Sequence, residues 1–191
     1  MQSRISTQKI IIAALLIIVG VAIPMFSPVK LVLDPASFTL ASHVPIFIAM
    51  FISPILTLAV AIGTAIGFYV GGFTTVVTVR AASHILFALI GAYYLHYKPQ
   101  VLSSIWRTLG FALIIGIIHA WVETTVVIFF YMGGDMSETG YTLNSVLLLV
   151  GLGGLAHSMV DFAIAFGLLK LLLTRKSLKP IFVTSKIPES V

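Results

Sequence analysis

Ile105–Met132 reads IWRTLGFALIIGIIHAWVETTVVIFFYM. It carries one cation near its start, Arg107, and one ionisable pair in its interior, His119 and Glu123. A run this long and apolar can cross a hydrocarbon core, for which about 20 residues suffice. Inside such a span an ionisable group is costly and marks a functional site by default. His119 and Glu123 stand four residues apart, which puts both on one helix face. The neighbouring apolar runs repeat the device with Arg80 and His84, and with His157 and Asp161. The three faces are expected to converge on one pocket.

The rest of the chain is of the same kind. Of 191 residues, 59% are hydrophobic and 9% charged, and the mean hydropathy is +1.13. Soluble proteins carry about 25% charged residues, so the fold class is an all-α integral membrane protein. The net charge of +5 does not point to nucleic acid, because the basic residues cluster at the ends of apolar runs. The chain has no cysteine, which excludes structural disulfides and thiolate metal sites. Arg4 and Lys9 precede the apolar run Ile10 to Ile23, as in a secretory leader. No small-residue cleavage site follows, only Pro24-Met25-Phe26, so the run reads as a retained first span.

Six spans can be drawn: Thr7 to Phe26, Ser42 to Ile52, Ile55 to Phe73, Val76 to Tyr97, Ile105 to Met132 and Leu143 to Leu173. The second is too short to cross unless it borrows neighbours or sits tilted in the bundle. Between the first two lies Ser27 to Ala41, whose Val29-Lys30-Leu31-Val32-Leu33 has a β-like composition and reads as a structured loop or short hairpin. In the third span Gly63 and Gly67 form a GxxxG, a signal for close helix packing inside the chain or against a partner. The sixth is longer than one crossing needs and should tilt or protrude. Residues 1–173 thus form one transmembrane domain, and 174–191 a basic tail expected to be loosely ordered.

Charge orients the spans. With both termini in the cytoplasm, the inner side holds Arg4, Lys9, Lys98, Arg107, Arg175, Lys176, Lys179 and Lys186. The outer loops hold Lys30 as their cation, with Asp34, Asp135 and Glu138, which is a positive-inside pattern. At 1.5 Å per residue, Arg80 falls in the outer third, His84, His119 and His157 near mid-depth, and Glu123 in the outer half. Asn144 lies near the outer surface, His43 opens the second span from that side, and Asp161 lies one turn deeper, the most structural member, orienting His157.

Several chemistries suit such a set. Internal ion pairs, His157 with Asp161 or Arg80 with Glu123, would simply hold the bundle together. A metal site would use histidine with carboxylate, but there is no HExxH and the His-x3-Glu and His-x3-Asp pairs sit on different spans. Ser83 and Ser158 each adjoin a histidine, yet adjacent helix residues face different ways, which argues against a hydrolase. A stand-alone proton-coupled transporter could use the histidines as a relay. A binding pocket for a small polar molecule uses the whole set: Arg80 as a forked donor to a carboxylate or hydroxyl, the rest as donors and acceptors around a heteroaromatic ring. Tyr93, Tyr94 or Tyr131 would stack on that ring, whereas Trp121 faces away from His119 and Glu123.

A short second helix, a structured first loop and an outward pocket lined by the last three spans resemble the substrate-binding S components of energy-coupling factor (ECF) vitamin transporters. Ser37–Pro54, SFTLASHVPIFIAMFISP, is similar to members assigned to niacin, hydroxymethylpyrimidine or pyridoxine-type vitamins. The resemblance implies a non-enzymatic subunit of the bacterial plasma membrane that captures a B vitamin under a lid formed by the first loop, with His43. It also implies partners: a transmembrane coupling protein and two cytoplasmic ATPases, which use the ATP, so that this chain needs no cofactor and carries no phosphate-cradling glycine loop. Family members dock through small residues on the first span, commonly Ala-x3-Ala. Here Ala13 and Ala14 are followed four residues on by Ile17 and Ile18, which leaves Ala13, Ala14 and Gly20 as the docking candidates.

Overall fold

The computed structural model describes residues 7–132 and 140–186. Arg4, Asp135 and Glu138, which entered the reading of topology, lie outside the described residues.

Five helices form the bundle wall: α1 (Thr7–Phe26), α3 (Pro54–Val70), α4 (Thr75–Tyr97), α5 (Ile105–Met132), and a last rod made of α6 (Leu143–Val146), a π-helical stretch Leu147–Gly153 and α7 (Gly154–Leu173). Among the described residues, α1, α4, α5 and the 31-residue last rod are long and apolar enough to cross a membrane. The 17 residues of α3 reach only about 25 Å. Local chemistry sets where these helices begin. Ser53 Oγ accepts the Leu56 N–H at 3.3 Å, with Pro54 at the first helical position, and Thr74 Oγ1 accepts from Val77 at 3.5 Å. Both follow the preference for a side-chain oxygen at a helix start, and α3 adds the proline favoured at the first helical position.

The remaining helix, α2 (Val44–Met50), has seven residues and every one is buried. At about 10 Å long it cannot cross a membrane by itself. It lies inside the bundle, against α1, α3, α4 and α7. Its Phe47 meets Phe162 edge-on at 5.2 Å and Phe87 at 5.9 Å. Phe51, just past the helix end, and Phe111 of α5 complete this aromatic core around Phe162 at 5.7 and 5.9 Å.

The first loop is a hairpin, β1 (Lys30–Leu33) paired antiparallel with β2 (Ala36–Thr39), Lys30 opposite Thr39. All four β1 residues are exposed, while Ala36 and Thr39 of β2 are buried. Phe38 comes down on the last rod, where a Cβ at Gly153 would sit 2.9 Å from its ring. Only glycine admits the ring there. After the hairpin, Ala41 takes a left-handed φ of 68°, which costs a non-glycine residue roughly 1–2 kcal/mol, and the chain turns into α2.

The GxxxG faces inward to the chain's own α1: a Cβ on Gly63 would collide with Ile17, and one on Gly67 with Val21. Gly20 is the one residue of α1 that is buried, and a Cβ there would lie 2.9 Å from Thr64 Oγ1. Its small size therefore serves α1–α3 packing. Ala14 is exposed on the outer face of α1 and Ala13 is half-buried. The tail also differs from expectation. Phe182 and Val183 are buried against the main core, and the Val183 N–H donates to the Phe51 carbonyl at 2.8 Å. Leu178 and Ile181, half-buried, pack against the same core, so four apolar side chains seat the segment.

Candidate functional site

The geometry centres on α2. Its first turn lies over Asp161 of α7, whose Oδ1 accepts the Ala41 N–H at 2.8 Å and whose Oδ2 accepts the His43 N–H at 2.8 Å. Oδ2 also receives His43 Nδ1 at 3.1 Å. Asp161 is fully buried, and three donors satisfy its charge without bulk water. It was expected chiefly to orient His157. Its Oδ2 does lie 3.4 Å from His157 Nε2, which is also 3.1 Å from Ser42 Oγ; it holds the left-handed entry of α2 and the ring of His43 as well.

A second carboxylate organises the other side. Glu123 of α5 accepts from Arg80 at 2.9 Å through Oε2 and from His84 Nε2 at 2.9 Å through Oε1. His119, one turn earlier, brings Nε2 to 3.6 Å from Oε1. Arg80 and Glu123 are both buried, and a charged pair at that depth is tolerable only with such direct partners. Arg80 keeps one unmet need: its Nε is buried without a hydrogen-bond partner.

His43 joins the two carboxylate centres. Its ring centroid lies 4.8 Å from that of His84, 4.6 Å from His119 and 5.0 Å from His157, each contact edge-on. So His43 is a buried central member of the cluster. Beside the cluster opens a cavity of about 110 Å³ lined by His43, Arg80, His84, Glu123 and His157. The structure thus brings together seven of the eight residues singled out from the sequence, with His119 and Asp161 beneath the cavity wall. Asn144 is not among them; it is exposed on α6. Tyr93 and Tyr94 are half-exposed away from the cavity, and Trp121 faces outward at 70% exposure.

Other lining residues escaped notice. Ser37, Thr39, Ser42 and Thr64 border the cavity, as does Lys30 of β1. The aromatic wall is Phe68 and Phe73, stacked on each other at 4.4 Å. Lys30 did leave a signal: it is the one cation expected on the outer side, against the positive-inside pattern. Hydroxyls in apolar helices leave none, because they are equally common as packing residues.

The chain is 45% identical to the niacin transporter NiaX of Lactococcus lactis subsp. cremoris (strain MG1363) over 166 residues, covering 86% of this chain and 74% of that protein. It belongs to this niacin-transporter family. The resemblance to niacin-type S components read from the sequence is borne out. Family membership and the apolar helices together make the chain a multi-pass protein of the cell membrane. No protein-family model and no solved structure matches it.

Proposed function

We propose that the chain is the membrane-embedded binding subunit of an ECF-type importer, capturing niacin in the cavity bounded by α2, α4, α5 and the last rod. The observation that carries this reading is Arg80: it lines a cavity of about 110 Å³ and its Nε is buried without a partner, in a relative of a niacin transporter. A vitamin carboxylate would satisfy that N–H and neutralise its charge. His84, His157 and Ser42 would meet the pyridine ring's polar edge, and Phe68 with Phe73 would supply its apolar wall. Glu123 and His43 would hold Arg80 and His84 in place.

In this reading six segments make the membrane domain of residues 1–173, with α2 embedded and both termini in the cytoplasm. The tail 174–191 lies on that side. A coupling protein would dock on the outer face of α1 near Ala13 and Ala14, and separate ATPases would drive release inward. A proton-coupled carrier would instead move vitamin with no partner present.

Thermal unfolding of the purified chain with a panel of B vitamins tests the assignment, since a ligand bound only by the folded state raises the midpoint. Niacin is expected to raise it, and nicotinamide, which lacks the carboxylate, to raise it much less. The reading fails if no vitamin stabilises the protein, or if Arg80→Ala and Glu123→Ala both bind niacin normally.

A further inference from the structure

The sequence argued against a metal because its histidines and carboxylates sit on separate spans, and the folded chain removes that ground. His43, His84, His119 and Glu123 each offer a ligand atom, and these atoms all lie within 4.8 Å of one another. We propose that these four residues bind one divalent transition-metal ion of the zinc or cobalt class at the floor of the cavity. The site goes beyond the vitamin reading and stands without it.

Three independent features support it. The first is His119. It is 1% exposed, and neither ring nitrogen has a hydrogen-bond partner, although a buried polar group almost always has one. Its Nε2 points to the oxygen that also receives His84: the separations are 3.6 Å and 2.9 Å. Zinc bonds of about 2.0–2.1 Å in a tetrahedron put neighbouring ligand atoms roughly 3.3 Å apart, between these two values.

The second feature is the orientation of His43. Its Nδ1 donates to Asp161, which leaves Nε2 as the ring nitrogen for an ion. A carboxylate behind a histidine is the usual outer support of a metal ligand, fixing both tautomer and ring direction. Asp161 is itself fastened by two backbone N–H groups, so the support is rigid.

The third feature is charge. With its histidines neutral, the buried cluster has two carboxylates, Glu123 and Asp161, against one guanidinium, Arg80. A divalent cation reverses that deficit, and a carboxylate arriving from the cavity would then balance the remainder. Three imidazole nitrogens with one carboxylate oxygen suit zinc, cobalt or nickel over the harder magnesium or calcium. Glu123 would give Oε1 to the ion and keep Oε2 on Arg80.

The test uses the full chain purified without a polyhistidine tag, stripped with a chelator, and titrated with Co²⁺ while its visible absorption is followed. Zn²⁺ is then counted by elemental mass spectrometry after desalting. One ion per chain is expected, with the intense visible bands of low-symmetry Co²⁺. His119→Gln should abolish stoichiometric binding, Asp161→Asn should weaken it about 10- to 100-fold, and His96→Gln, at the far end of α4, should leave it unchanged. Circular dichroism and monodisperse elution establish that His119→Gln is folded; if it is not, His84→Gln carries the same prediction. The proposal is overturned if the wild-type chain takes up no stoichiometric ion at micromolar concentration, which would assign the space at His119 to water. An ion retained undiminished in the folded variant overturns it too. Niacin binding is scored separately with and without chelator, so loss of either ligand is read independently of the other.

Discussion

Arg80 and Glu123 illustrate how one buried contact serves two ends. The pair holds α4 to α5, and it also aims a guanidinium at the cavity. Arg80→Ala leaves Glu123 with histidine partners only, and stranding a buried charge typically costs about 3–5 kcal/mol. A large fall in the thermal midpoint in detergent is therefore expected. Arg80→Met combined with Glu123→Met should regain most of it, because both charges leave together; a double mutant as unstable as the sum of the singles would contradict this. Arg80→Lys should keep the pair yet lose most niacin binding, since an ammonium lacks the planar fork, and calorimetric titration would show it. Asp161→Asn replaces an acceptor oxygen by an NH₂ that faces a backbone N–H. Leaving that donor unmet should cost about 1–3 kcal/mol, read as a lower thermal midpoint and faster hydrogen exchange at Ala41 and His43. The residue scale was largely legible beforehand. Arg80, His84, His119, Glu123 and His157 betray themselves because ionisable groups do not survive in a span without a reason. The role of Asp161 was not legible, since its donors at Ala41 and His43 lie more than a hundred positions away in the chain.

Elements depart from their sequence signals where packing decides. The length of α2 was readable, and so was the β character of Val29 to Leu33. That α2 lies wholly enclosed was not, because a short apolar run looks the same whether lipid or protein surrounds it. The GxxxG left its partner open, and the collisions at Ile17 and Val21 now name α1. Gly67→Val should lower stability by about 1–3 kcal/mol through overpacking, and Val21→Ala should restore part of that loss; a neutral Gly67→Val would refute the contact. The tail offers a second test. Phe182→Ala should cost about 3–5 kcal/mol, as a buried aromatic does, whereas a loosely ordered segment would tolerate it without a shift in midpoint.

At the scale of the whole molecule, the fold separates holding from moving. The described residues bring the ionisable groups to one cavity near one end of α2, and the core beyond them is hydrocarbon. Reconstituted alone in liposomes, the chain should bind niacin yet show no accumulation or counterflow, with or without a pH gradient. Uptake driven by a pH gradient in the absence of any partner would favour the carrier reading.

The aromatic core has one more consequence. Phe47, Phe51, Phe87, Phe111 and Phe162 close the space beyond α2 with interlocked rings, and Phe87 lies directly against His119 at 4.4 Å. If the cavity is the proposed binding site, a cell that makes this protein in excess should gain binding sites without gaining leaks. A proton-flux assay on liposomes holding the chain would stay flat; a measurable leak would show that the rings do not seal the bundle.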